Sequence, residues 1–145
     1  MYQMIQSIIE AISISLDAEF GEGYSIYREE KLQGLKEPCF FILCIHPTHT
    51  LFLKQKYART NLFCIHYFPE HLERKKEECD AVAERLFSCM EHLNVEGHLI
   101  TGTKMNYEIV DDVLHFFVNY DFFVCKKTEN VPWMREVSEK TSLKG

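Results

Sequence analysis

Residues 39–45 and 61–68 constrain this chain more than any others, because neither segment alternates between apolar and polar residues. In the first, Cys39, Phe41, Leu43 and Ile45 point one way along a strand, and Phe40, Ile42 and Cys44 point the other. Strands apolar on both faces belong in the middle of a sheet that is covered from both sides. Between them lies residues 46–59, rich in His, Lys and Thr, with Pro47 near its start. That proline predicts a break or bend in the first strand. Leu51, Phe52 and Leu53 can extend one arm of a hairpin whose tip is residues 54–56.

The remaining elements follow from periodicity. Ile5, Ile8, Ile9, Ile12, Leu16 and Phe20 recur at helical spacing over residues 2–20, and Gly21 and Gly23 supply the stop. Residues 24–28 read as a short strand and the charged residues 29–37 as a loop. A second helix is expected over residues 72–93, where Cys79, Val82, Ala83, Leu86, Phe87, Met90 and Leu93 form one stripe. Strand patterns return at 98–103 and 105–110, and Asp111–Asp112 reads as a turn. The last strand, 113–125, places Leu114, Phe116, Val118, Tyr120, Phe122 and Val124 on one face. Its other face mixes His115, Asn119 and Asp121 with Phe117 and Phe123, which tertiary packing and contact with a second subunit explain equally. The expected fold is α+β: a mostly antiparallel β-sheet packed by two main α-helices in the order α-β-β-β-α-β-β. Residues 1–126 read as a single domain, and 127–145 as a C-terminal tail with a short helix near Pro132 followed by disorder.

Several function classes are disfavoured. A net charge of −6 argues against nucleic-acid sequence recognition, which needs a basic face. The N-terminus lacks the pattern of an export signal, and no apolar run approaches the roughly 20 residues that span a bilayer. The six cysteines (39, 44, 64, 79, 89, 125) contain no Cys-x-x-Cys pair and read as reduced core residues of a cytosolic protein. No nucleophile elbow, phosphate-binding glycine loop or His-Glu-x-x-His motif is present, so no catalytic residue is expected. His46 and His49 are the closely spaced histidines, with His66 and His71 next along the chain. If the two central strands pair, His46 and His66 come close, but neither carboxylate nor cysteine falls in a ligand pattern beside them. The expectation is no metal and no cofactor.

Three segments taken together carry a resemblance: LQGLKEPCFFI (32–42), RTNLFCIHYFP (59–69) with the helix VAERLFSCMEHL (82–93), and GTKMNYEIVDDVLHFFVNYDFFV (102–124). They resemble the phage tail terminator, or tail completion, proteins of long-tailed phages and prophages of Gram-positive bacteria. The resemblance implies a structural, non-enzymatic α+β protein that assembles into a hexameric ring, caps the tail tube, stops its polymerisation and offers a surface for head joining. The implied partners are further copies of this chain, the tail tube protein and the head-completion or connector protein. The implied location is the virion tail, assembled in the host bacterial cytoplasm. On this reading His46, His49, Lys54, Lys56 and Arg59 are candidate tube or connector contacts, although an ordinary solvated hairpin tip explains them equally. Phe117, Phe123, Trp133 and Met134 are candidate subunit-interface residues. The alternative is a small α+β ligand-binding or regulatory domain with an apolar pocket between sheet and helix.

Overall fold

A computed structural model describes residues 4–28, 36–70 and 73–125. Trp133, Met134 and the expected C-terminal tail lie outside the described residues. The chain forms α1 (Met4–Phe20), β1 (Ser25–Tyr27), β2 (Cys39–Leu53), β3 (Lys56–Phe68), α2 (Lys75–Cys89), β4 (His92–Val95), β5 (His98–Val110), β6 (Val113–Tyr120) and β7 (Phe122–Cys125). The sheet order is β1-β2-β3-β6-β5-β4, with β7 also on β3, and β1–β2 is the parallel pair in an otherwise antiparallel sheet. This is the α+β order read from the sequence, with the short strands β4 and β7 added.

Strand β3 takes the central position expected for residues 61–68, between β2 and β6. Strand β2, by contrast, is flanked on its other side only at Cys39–Phe41 among the described residues, and the helices cover one face of the sheet instead of the two expected. One face of the sheet packs against both helices. Phe40 and Ile42 from β2, Phe63, Ile65 and Tyr67 from β3, and Leu114, Phe116, Val118 and Tyr120 from β6 are buried there. Against them lie Ile8, Ile12 and Leu16 of α1 and Val82, Ala83 and Leu86 of α2. Burying each large apolar side chain contributes roughly 1.5–3 kcal/mol, which makes this layer the main source of stability. Rings interlock along it, with Phe40 centred 4.9 Å from both Phe20 and Tyr67, and Phe87 5.2 Å from Phe116. On the opposite face, where among the described residues no helix lies, Phe41 packs edge-on against Tyr27 and Phe68.

The helices are tied to each other as well as to the sheet. Arg85 of α2 donates to the Glu19 carboxylate (2.9 Å) and carbonyl (2.6 Å), with its guanidinium over the Phe20 ring. Ser15 donates to the Cys89 carbonyl at 2.9 Å. Helix α1 stops where expected: Gly21 takes φ +85°, and its N–H donates to the Asp17 carbonyl at 3.0 Å. The Asp111–Asp112 turn is also found, with φ of 52° and 64° as a two-residue hairpin loop of the type I′ class requires.

Boundaries differ from the sequence reading in several places. Helix α2 ends at Cys89, and Leu93 belongs to β4, where Leu93 and Val95 are buried and His92 and Asn94 exposed. Residues 98–110 form one strand with a bulge between Thr103 and Asn106. Pro47 does not end β2. A register shift between Cys44 and His46 absorbs the irregularity, and the strand continues through Pro47 to Leu53. Since β1 pairs only with Cys39 through Phe41, Pro47 has no neighbour on that side among the described residues, and its missing N–H costs no ladder bond to them.

The single strand expected over 113–125 is interrupted at Asp121: β6 stops at Tyr120, yet β7 resumes on β3 in the same register, with Asn119 facing Leu62 and Phe122 facing Arg59. Beside the gap, the fully buried Asn61 donates from Nδ2 to the Tyr120 carbonyl at 3.0 Å. Asn61→Ala leaves that buried carbonyl without its partner and is expected to destabilise the fold by about 1.5 kcal/mol in urea unfolding. A loss below about 0.5 kcal/mol would mean the bond does not hold the gap closed.

Candidate functional site

The distal half of β2, the start of β3 and all of β7 form a three-stranded arm. Thr48 faces Thr60, Thr50 faces Ala58 and Leu51 faces Tyr57, while Ala58 also faces Phe123. The Thr48 and Thr60 hydroxyls hydrogen-bond across the first pair. No residue from 45 to 60 belongs to the buried core, so the arm extends past the helices. Its turn is held by Lys54, at φ +30°.

Among the described residues, the arm carries most of the large apolar side chains left in solvent. Ile45, Leu51, Phe52, Leu53 and Phe123 are each 45–59% exposed. The Phe52 and Phe123 rings meet at 5.3 Å, which makes a small patch of apolar surface instead of scattered residues. Such clustering marks a contact surface more often than isolated exposed residues do.

The basic and histidine residues singled out in the sequence fall on this arm in different settings. His46 is exposed and opposite Leu62, and His49 stacks on Tyr57 with centroids 4.4 Å apart. Lys56 lies with its ammonium 4.8 Å from the centre of the Phe123 ring, and Arg59 lies 5.8 Å from that of Phe122. Both cations are thus braced on the arm's aromatics, and Lys54 stands exposed at the turn. The tip is therefore less polar than residues 46–59 suggested. Leu51, Phe52 and Leu53 were visible as a strand extension, but their exposure was not, because strand periodicity does not say where helix cover ends.

Phe123 joins the arm's patch, whereas Phe117 sits half-buried on the helix-free face of the sheet, between Cys64 and Asn106. The pairing of His46 with His66 does not occur: His66 faces Phe41 on one side and His115 on the other. Burial and the neighbouring His115 pull His66 down to about 4.

Burial pushes the thiols of Cys39, Cys79 and Cys89 up to about 11, which disfavours a thiolate nucleophile. A groove of about 320 Å³ runs between α1 and β1, lined by Ser13, Ile14, Asp17, Ile26 and Arg28. It is an open surface groove, unlike the enclosed apolar pocket that a ligand-binding reading calls for. Among the described residues no helix is long and apolar enough to cross a membrane.

A family model described as phage tail terminator protein matches residues 7–132, which takes in all of α1 but its first three residues, α2, the sheet and the whole arm. No curated protein matches the chain.

Proposed function

The chain belongs to the phage tail terminator family, and from that premise we propose that it caps the finished tail tube, halts tube polymerisation and presents the surface to which the head is joined. In this reading it acts in the virion tail, is assembled in the host cytoplasm and works as a ring of identical subunits, six in number. A ring built from one domain needs heterologous contacts that close on themselves, so each subunit offers two different surfaces. The apolar patch at Phe52 and Phe123 supports one of them: it docks on the adjacent subunit. The turn at Lys54, with Lys56 and Arg59 behind it, faces the tube end or the connector. Phe117 belongs to the subunit contact on the helix-free face of the sheet.

The observation that carries this reading is the family match together with an arm that exposes aromatic side chains beyond the core. Tails assembled without the protein are expected to be overlong tubes lacking heads in electron micrographs. Light scattering of the purified chain is expected to give a ring-sized particle, either alone or once tube ends are added. Normal-length tails joined to heads in its absence would rule the role out. A chain that stays monomeric with tube ends present would rule out the ring.

A further inference from the structure

The sheet face opposite the helices gathers three side chains that bind metals well. Cys64 and His66 stand two residues apart on β3, which places them on the same face, and β6 sets His115 opposite His66. The two imidazole rings meet edge to face with centroids 4.3 Å apart. Cys64 Sγ and one ring nitrogen from each histidine lie within 4.8 Å of one another. Donor atoms around a tetrahedral Zn²⁺, with bonds of roughly 2.0–2.3 Å, stand about 3.3–3.7 Å apart. Side-chain rotation moving each donor by about 1 Å closes that difference without shifting a strand.

The next residue along the row is Glu108 of β5, the register partner of His115. Its charge reaches Cys64, adding to the burial that pushes this thiol up to about 12. Thiolate, imidazole and carboxylate together make a borderline-soft donor set, suited to Zn²⁺ and poorly suited to Mg²⁺ or Ca²⁺. Cys64 is buried, His66 and His115 are half-buried and Glu108 is exposed, so the row opens to solvent at its Glu108 end.

We propose that Cys64, His66 and His115 bind one Zn²⁺ ion on the helix-free face of the sheet, with the Glu108 carboxylate as fourth ligand. The ion ties β3 to β6 and β5 across the middle of the sheet, beside Phe117. Zinc displaces the Cys64 proton to the buffer as it binds, so the metal itself generates the thiolate. The sequence reading expected no metal because it weighed histidines near one another in the chain. His115 reaches His66 through strand register alone. This site is independent of the tail-terminator reading, and either can fail without the other.

The test is titration of the full chain with Co²⁺ as a spectroscopic probe, followed by competition with Zn²⁺ and thermal melts. Saturation is expected at one equivalent, with the intense visible absorption of a tetrahedral site and a thiolate-to-cobalt charge-transfer band. Zn²⁺ abolishes both bands, and it raises Tm because it binds only the folded chain. Cys64→Ser removes the charge-transfer band, His115→Gln weakens binding at least tenfold, and Cys44→Ser leaves both unchanged. Because Cys64 is buried, circular dichroism checks the fold of its variant. His115→Gln, at a half-buried position, decides the matter if Cys64→Ser unfolds. Absence of saturable uptake, an octahedral cobalt spectrum or unchanged affinity in His115→Gln would each overturn the site.

Discussion

Gly102→Ala is expected to cost about 3 kcal/mol, at the top of the usual range for overpacking a core, and to lower Tm by roughly 10 °C. Gly102 is buried in β5, opposite Tyr120, where the end of α2 presses down on the sheet. A Cβ there would stand 2.6 Å from the Met90 carbonyl oxygen, 2.8 Å from a Val118 methyl and 3.1 Å from the Tyr120 ring. The carbonyl cannot easily retreat, because the Tyr120 hydroxyl donates to it at 2.6 Å. The Gly102 N–H also donates to the Glu91 carbonyl at 2.7 Å, so the two backbones are fastened face to face. Urea unfolding measures the effect. A variant within about 0.5 kcal/mol of the parent would mean that α2 does not sit this close to β5.

The double substitution Phe52→Ser with Phe123→Ser is expected to spare the fold and abolish tail completion. Both rings are more than half exposed, and they touch each other outside the core. Removing them should cost less than about 1 kcal/mol of stability, as at most surface positions. At an interface, two aromatic anchors worth about 2 kcal/mol each would weaken association by roughly a thousandfold. The expected result is a well-folded chain that no longer forms rings on tube ends and fails to restore plating of a phage lacking its terminator. Ring formation at the parental level would move the subunit contact elsewhere on the molecule.

The parts of the fold that were legible are those where side-chain period and burial agree. Leu114, Phe116, Val118 and Tyr120 on β6 sit on the helix-covered face that their period indicates, whereas β2, apolar on both faces, gave no sign that the helices cover the side of Phe40 and Ile42. Asp111 and Asp112 were legible because few residues accept two consecutive positive φ values. The end of α2 was hidden because Leu86, Met90 and Leu93 keep helical spacing across a change of structure. Leu93 and Val95, alternating with exposed His92 and Asn94, belong to the period of β4. The arm was only half legible, since Pro47 signals a break wherever a strand has neighbours on both edges, and among the described residues it has one here. The zinc-binding cluster was invisible for a different reason: residues 66 and 115 meet only through the β3–β6 register, which no local pattern encodes.

The continuity of β7 with β6 along β3 also fixes when the arm can work during synthesis. Strands β2 and β3 emerge from the ribosome early, and the hairpin between them can form at once. Its third strand, Phe122–Cys125, is the last described element to be made. At synthesis rates of about 5–20 residues per second, the newborn hairpin waits roughly 3–10 s with the far side of β3 unpaired. Until then it holds Phe52 without Phe123, so the patch that would join subunits is half built. On the proposed ring, a nascent chain would lack a complete docking patch until its last described strand is made.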